Sequence, residues 1–186
     1  MSWDSILQAA FITALFTSGI RLAVPVLLAV LGEIVTERAG VQNLGLEGIM
    51  AFGAFAGFAA AFVSGSGLIG LMAGVLAGML MGTLMGYFAV TLKVNQVIAG
   101  ISLVLLGQGA ANFFYRQIFG VSQRPPRIAG LPDLPIPLLS DIPYLGDIFF
   151  RHNVVVYLTI LLVILVWVLL FQTTWGLKVR AVGEHP

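Results

Sequence analysis

Five long apolar stretches dominate this chain, and they constrain its fold more than any other feature. Only 9% of the residues are charged and 59% are hydrophobic, whereas a soluble domain carries about 25% charged residues. A bilayer core takes roughly 20 apolar residues per helix, and unpaired backbone groups are costly in lipid. The sequence therefore predicts an all-α, polytopic transmembrane helix bundle. Its spans are expected at about residues 7–31, 48–63, 68–92, 97–119 and 154–171.

Three segments between or after these spans stand out. Residues 32–47 contain several glycines, which permit sharp turns, so a broken or re-entrant segment is expected after the first span. Residues 120–152 hold six of the eight prolines and are expected to form a loop in which Ser140 is accessible. Residues 172–186 follow the last span and carry further charges.

The composition disfavours several classes of function. The net charge is +1 and cysteine is absent, so neither a nucleic-acid partner nor a thiolate-bound metal is expected. His152 and His185 lie far apart in sequence without a carboxylate cluster, so no metal site and no cofactor are predicted. The spans hold no catalytic pair at convincing spacing, and the chain has no Gly-x-x-x-x-Gly-Lys-Ser/Thr phosphate loop. The chain is therefore predicted not to be an enzyme.

A regular glycine pattern predicts close helix packing in the third span. Gly70, Gly74, Gly78, Gly82 and Gly86 recur every four residues and leave one helix face without side chains. This glycine stripe is expected to be buried against another helix, either in static packing or as a sliding surface. Replacement of Gly78 by leucine is then expected to disrupt folding.

Polar residues within the fourth span are candidates for a solute pathway. Gln108, Asn112 and Arg116 are spaced four residues apart, so they share one helix face. Because polar groups are costly in lipid, this face suits either a passing polar solute or hydrogen bonds between helices, with Arg116 extended toward the interface. Asn95 is expected to cap the same helix, and Gln96 is a further pathway candidate.

The segment after the first span supplies two more candidates. Asn43 and Glu47 lie where a broken helix would offer backbone groups to a solute, and the alternative is an ordinary connecting loop. Arg21 lies within the first span, where a buried arginine needs a counter-charge. Glu33, Glu37 and Glu47 are the candidate partners, and a structural ion pair is favoured over contact with solute.

Three segments together resemble the ABC importer permeases. Residues Gly32–Met50 read GEIVTERAGVQNLGLEGIM, and they resemble a signature of the simple-sugar and nucleoside permeases, relatives of the ribose and branched-chain amino acid permeases. Asn95–Gly100 resembles a second family segment, and Trp175–Pro186 resembles the start of the cytoplasmic coupling loop. The wording of the first segment is most similar to that of the nucleoside-type members.

The resemblance implies a membrane permease that forms the translocation pathway for a small polar solute, a nucleoside or a simple sugar. The implied partners are cytoplasmic ATP-binding subunits, a second permease subunit and an extracellular substrate-binding protein. The implied location is the cell membrane, which the chain would cross several times. Residues 1–186 would be the N-terminal portion of one permease domain. If residues 172–186 are cytoplasmic, counting back along the spans places residues 120–152 and the N-terminus outside the cell.

Two sets of candidate residues result. The candidates for the substrate pathway are Asn43, Glu47, Gln96, Gln108, Asn112 and Arg116. The candidates for coupling to the ATPase, which the resemblance implies, are Gly176, Lys178, Arg180, Gly183 and Glu184. A self-contained channel or secondary transporter is the alternative function. Residues 172–186 discriminate between the two, because only an importer permease needs a cytoplasmic helix there that docks on an ATPase.

Overall fold

The computed structural model describes residues 9–120 and 126–184, and most of them are helical. In chain order the helices are α1 (Ala9–Arg38), α2 (Leu46–Ser64), α3 (Gly67–Gly86), α4 (Gln96–Phe119), α5 (Leu145–Phe149), α6 (Val154–Gln172) and α7 (Thr174–Glu184). A π-helical turn (Tyr87–Thr91) extends α3, and two short strands are β1 (Asp133–Pro135) and β2 (Arg151–Asn153). Residues 121–125 of the predicted loop and 185–186 of the predicted coupling segment lie outside the described residues.

Five of the described helices are long and apolar enough to cross a membrane. They extend over Ala10–Arg38, Leu46–Ser64, Gly67–Thr91, Gln96–Phe119 and Val154–Gln172. Large apolar side chains such as Leu22 and Val63 are 75% and 82% exposed on them, which lipid tolerates and water does not. The predicted all-α polytopic bundle is confirmed.

The chain divides into two compact units, which are described separately. The first unit takes its described residues from within Met1–Gly32 and Leu131–Thr173, and the second from within Glu33–Gly130 and Thr174–Pro186. The second unit holds α2, α3, α4, α7 and the last turns of α1. The first holds the rest of α1, both strands, α5 and α6.

The first helix is longer than predicted, and the break after it is shorter. The predicted span ended at Leu31, but α1 continues for seven residues to Arg38, because nothing in those last turns disfavours helix as proline does. Helix α2 begins at Leu46. The predicted broken segment is therefore a turn of residues 39–45, which we call the connecting turn.

The connecting turn begins with a Schellman motif. Gly40 adopts a φ of 86°, a left-handed conformation that glycine tolerates. The Gly40 N–H donates to the Glu37 carbonyl and the Val41 N–H donates to the Thr36 carbonyl, both at 3.0 Å. These bonds satisfy carbonyls at the end of α1 and fix the direction in which the chain leaves the helix.

Part of the predicted glycine stripe lies between α2 and α3. A Cβ atom at Gly70 would lie 2.6 Å from the Ala61 Cβ and 2.7 Å from the Gly57 carbonyl oxygen. A Cβ atom at Gly74 would lie 3.2 Å from the Gly53 carbonyl oxygen. The two helix backbones approach closely because no side chain separates them.

The prediction that the whole stripe is buried is wrong for its other members. A Cβ atom at Gly78, Gly82 or Gly86 would meet no described atom within 4 Å. Each step of four residues turns a helix by about 400°, so the stripe rotates by about 40° per step. The Cβ position of Gly78 already points away from α2, although the Gly78 nitrogen still lies 4.0 Å from a Cβ atom built at Gly53.

Replacement of Gly70 by alanine is expected to destabilise the protein, because the added methyl group overlaps the backbone of α2. Overpacking of this kind costs about 1–3 kcal/mol. Gly78→Ala is the matched control on the same helix and is expected to fold normally, in place of the disruption predicted for Gly78→Leu. Thermal unfolding in detergent measures the difference, and equal melting temperatures of the two variants would contradict it.

A very close helix crossing joins the start of α2 to the middle of α4. A Cβ atom at Gly48 would lie 2.7 Å from the Val104 Cα. A Cβ atom at Gly107 would lie 2.8 Å from the Gly48 Cα. Leu103, one residue before Val104 on α4, is fully buried. The two backbones touch, so the first turn of α2 has a fixed position on α4.

An apolar core lies beside this crossing. Its buried members are Met81, Met85, Ala99 and Leu103, and Phe52 and Phe88 pack against them. Further along the same helices, rings from α2 and α4 form an aromatic cluster: Phe58, Phe62, Tyr115 and Phe119. Helices α2 and α4 are therefore held together along most of their length.

In the first unit, an ion pair ties α1 to the first residue of β1. Arg21 Nη2 lies 2.9 Å from Asp133 Oδ2, and both side chains are about half exposed. The prediction that Arg21 pairs with Glu33, Glu37 or Glu47 is therefore wrong. The nearest of them in sequence, Glu33, lies about 18 Å further along the helix axis, which is beyond the reach of an arginine side chain.

Candidate functional site

The Glu33 carboxylate holds the connecting turn. Glu33 Oε1 accepts a hydrogen bond from the Asn43 N–H at 2.9 Å, and Thr36 Oγ1 donates to Glu33 Oε2 at 3.1 Å. Asn43 Oδ1 accepts from the Gly45 N–H at 3.1 Å. Hydrogen bonds to a carboxylate are stronger than those between neutral groups. Glu33 therefore ties the last turn of α1 to the residues that lead into α2.

Gln96, the first residue of α4, holds the connecting turn from the other side. Its Oε1 accepts from the Gln42 N–H at 2.8 Å, and its Nε2 donates to the Gly40 carbonyl at 3.4 Å. One helical turn further on, a Cβ atom at Gly100 would lie 2.7 Å from the Leu44 Cβ. The start of α4 therefore contacts the connecting turn directly.

Three of the six pathway candidates lie at or beside this turn. The amide groups of Asn43 and Gln96 bond to the backbone of the turn. Glu47 is exposed in the first turn of α2, where a carboxylate stabilises the helix N-terminus. Asn95 Oδ1 accepts from two backbone N–H groups at 2.9 and 3.3 Å, which confirms the predicted cap. Contact of the three candidates with solute stays a prediction.

The other three candidates form a polar stripe along α4. Gln108, Asn112 and Arg116 are all exposed, and Asn112 Nδ2 donates to the Gln108 carbonyl at 2.9 Å. The face of α4 that packs on α2 contains Leu103 and Gly107, and at 100° per residue the stripe lies about 160° around the helix from it. Because polar side chains seldom face lipid, the stripe suits a solute path or contact with another helix.

A short helix follows the last span, and it lies against the end of α1. All five coupling candidates are on α7: Gly176, Lys178, Arg180, Gly183 and Glu184. A Cβ atom at Gly183 would lie 2.9 Å from the Arg38 carbonyl carbon and 3.1 Å from the Gly40 nitrogen. Helix α7 thus rests on the Schellman motif of the connecting turn without an intervening side chain.

A groove of about 400 Å³ lies between the end of α1 and α7. Its lining includes acidic and basic side chains from both helices: Glu37, Arg38, Arg180 and Glu184. Arg180 Nε donates to the Gly176 carbonyl at 3.4 Å, which holds the arginine along α7. A surface that carries both signs of charge suits a complementary protein partner.

These contacts place three segments at one end of the second unit. They are the connecting turn, the start of α4 and α7, which follow the first, third and fifth spans. A chain that crosses a membrane back and forth brings its alternate connections to the same side. The predicted order of crossings requires such a grouping, and it stays a prediction.

The first unit carries a polar pocket of about 700 Å³ beside the N-terminal half of α1. Arg21 and Asp133 line it, together with Asp147, which lies 2.7 Å from Arg151 across a second ion pair. Ser140, predicted to be accessible in this loop, is only 8% exposed. That prediction is wrong because the segment folds back on itself, and the Ser140 backbone packs against Gly146.

Sequence reasoning missed two parts of this site. Glu33 lies within the signature segment, but the sequence pattern indicates it only as a candidate partner for Arg21. Gly100 and Gly107, which let α4 touch the connecting turn and α2, are seven residues apart, two helical turns. Glycines at that spacing share one helix face without side chains, so the sequence already indicates a close helix contact there.

The chain matches the model of a permease family, "Branched-chain amino acid transport system / permease component", over residues 15–186. It is 38% identical over 181 residues to a Haloferax volcanii protein named "Putative glucose ABC transporter permease protein TsgC13", covering 95% of this chain and 54% of that protein. The guanosine ABC transporter permease protein of Bacillus subtilis is 36% identical, with 88% and 54% covered. The nucleoside ABC transporter permease protein of Lactococcus lactis is 33% identical, with 87% and 53% covered. No solved structure matches.

The chain spans about half the length of the curated relatives it matches. These relatives are named as permeases, which are transport components and not enzymes. Together with the five apolar helices, they confirm a multi-pass protein of the cell membrane and the predicted resemblance. The chain therefore belongs to the permease family of the branched-chain amino acid transport systems.

Proposed function

We propose that this chain is part of the permease subunit of an ABC importer for a small polar solute, a nucleoside or a simple sugar. The observation that carries the proposal is α7, which follows the fifth span and lies against the end of α1 through Gly183. An importer permease needs such a helix to receive force from its ATPase, and a self-contained channel does not.

The proposed assembly contains two permease subunits, two cytoplasmic ATP-binding subunits and an extracellular substrate-binding protein. Closure of the ATP-binding subunits would press on α7, and the spans would repack so that the solute path opens to alternate sides. To move such an equilibrium from 1:99 to 99:1, the two states must be stabilised differently by about 5.5 kcal/mol. Hydrolysis of ATP by the partner subunits supplies that free energy.

Purification of the full-length permease from its native membrane, followed by identification of the bound proteins, tests this assembly. We expect ATP-binding subunits and a substrate-binding protein to co-purify, and the complex to take up solute into proteoliposomes only with ATP. Uptake by the permease alone, driven by a solute or ion gradient, would support the channel or secondary transporter instead.

The solute class rests on shared chemistry. The relatives are named for glucose, guanosine and nucleosides. All of these solutes carry sugar hydroxyls, which both donate and accept hydrogen bonds. Amide side chains such as Gln108 and Asn112 match that property. Competition of unlabelled sugars and nucleosides against labelled guanosine uptake separates the two classes.

The proposed orientation predicts that a cysteine placed at Ala129 reacts with an impermeant thiol reagent in intact cells. Ala129 is exposed in the described part of the loop, unlike Ser140, and the chain has no native cysteine. Thr91 is exposed at the end of the π-helical turn that follows α3. The proposed orientation places it on the cytoplasmic side, so a cysteine there serves as the control and should react only after lysis. The reverse pattern would invert the topology.

Replacement of Asn112 by leucine is expected to lower solute uptake roughly two- to tenfold, the effect of one lost hydrogen bond to a neutral group. The variant should still insert and assemble, because the side chain bonds only to its own helix among the described residues. Asn112→Gln should recover part of the uptake. If Asn112→Leu keeps full uptake but melts at a lower temperature, the stripe is a structural contact and the path lies along other helices.

A further inference from the structure

We infer that Glu33 and Gln96 are positioning residues, which make the connecting turn a stiff link between the coupling helix α7 and the pathway helix α4. The inference rests on the proposed function and adds to it the route by which motion of α7 reaches the solute path. It is carried by contacts at three successive places.

The first contact is between α7 and the turn. Gly183 lies directly on the backbone of Arg38 and Gly40, so at this contact no side chain can bend when α7 is pushed toward α1. The backbone that receives the push is the Schellman motif, whose two hydrogen bonds measure 3.0 Å. A displacement of α7 is therefore passed to the turn as a whole.

The second contact is within the turn. Seven residues without regular structure would ordinarily deform under load, since they lack a repeating hydrogen-bond pattern. Here the Glu33 carboxylate accepts from the Asn43 N–H with one oxygen and from the Thr36 hydroxyl with the other. The first bond ties Asn43, in the second half of the turn, to α1, and the second holds the same carboxylate within the last turns of α1. The turn is therefore fixed to the end of α1 and keeps its position on that helix when it moves.

The third contact is between the turn and α4. Gln96 bonds to the backbone of Gln42 and of Gly40, and Gly45 and Gly100 bring the backbones of the turn and α4 together. Two hydrogen bonds and a close backbone contact fix the first turn of α4. The polar stripe begins at Gln108, about 18 Å along the same helix, and a rigid helix carries the displacement there.

A purely structural clamp would have the same contacts, and the two roles differ in what their loss does. If the contacts are only structural, their loss lowers the amount of folded protein. If they transmit motion, their loss lowers the amount of solute transported for each ATP hydrolysed. The test is therefore made on the full-length permease, assembled with its ATP-binding and substrate-binding partners in proteoliposomes, with ATP hydrolysis and uptake measured together.

Glu33→Ala and Gln96→Ala are each expected to lower the uptake per ATP by about fivefold or more, the lower range of coupling between two sites. The complex should still assemble and hydrolyse ATP. Glu33→Gln keeps an oxygen that accepts from Asn43 and should recover most of the coupling. The double alanine variant should be little worse than either single variant, because both act on one turn. Ser102→Ala is the matched control, since its hydroxyl bonds only within α4 among the described residues.

If Glu33→Ala does not fold, Thr36→Val removes one of the two bonds to the same carboxylate and gives the same test in milder form. Unchanged uptake per ATP in the assembled variants would overturn the inference, even if the yield of protein fell. So would equal losses in Glu33→Gln and Glu33→Ala. Absence of ATP-driven uptake in the unmodified complex would instead overturn the proposed function itself.

Discussion

Replacement of Gly107 by alanine is expected to remove nearly all folded protein from the membrane. The added Cβ atom would lie 2.8 Å from the Gly48 Cα and closer still to the Gly48 carbonyl. No side chain can move aside there, because the atoms it meets belong to the backbone. The whole crossing of α2 and α4 would have to widen, and overpacking costs about 1–3 kcal/mol at sites that can relax.

Gly109→Ala supplies the control for this experiment. Gly109 lies on the same helix, and a Cβ atom there would meet no described atom within 4 Å. It is expected to fold normally and to gain slightly in helix propensity. Monodisperse yield and melting temperature in detergent measure both variants. A Gly107→Ala protein that folded as well as Gly109→Ala would mean that the crossing is looser than described.

Replacement of Gly183 by alanine is expected to abolish most of the coupled uptake while the bundle still folds. The methyl group would overlap the Arg38 carbonyl, and α7 would have to leave its seat on the connecting turn. At about 1–3 kcal/mol for the overlap, α7 would occupy that position roughly 5- to 150-fold less often. Uptake per ATP in proteoliposomes should fall by a similar factor.

Gly32→Ala is the matched control for Gly183→Ala. Gly32 lies near the same end of α1, and a Cβ atom there would meet no described atom within 4 Å. It should keep normal uptake per ATP. If Gly183→Ala transported as efficiently as this control, α7 would act without contact to the connecting turn, and the proposed seat would be wrong.

The sequence by itself determined the features that depend on local pattern. The number of spans follows from the length of apolar runs, because each bilayer crossing needs enough of them in succession. The cap at Asn95 and the shared face of Gln108, Asn112 and Arg116 follow from helix geometry over a few residues. The family resemblance likewise rests on contiguous segments, and one of these segments forms α7.

Only the tertiary structure decided which distant residues meet. Arg21 pairs with Asp133 across 112 positions, and no local rule separates that aspartate from the nearer acidic residues. The glycine stripe in α3 was visible in the sequence, yet its drift around the helix left Gly78 open and Gly70 packed. Periodicity gives the face that a helix presents, but not where along its length a neighbour touches it.

The signature segment, Gly32–Met50, shows most clearly which features the sequence determines and which the tertiary structure decides. Its glycines predicted a break in the helix, and the break is there, though shorter. The break is held by a carboxylate ten residues before its hydrogen-bond partner Asn43 and by an amide from another helix, Gln96. Those bonds exist because the ends of α1, α4 and α7 converge at one place, and convergence is a property of packing in three dimensions rather than of any run of residues.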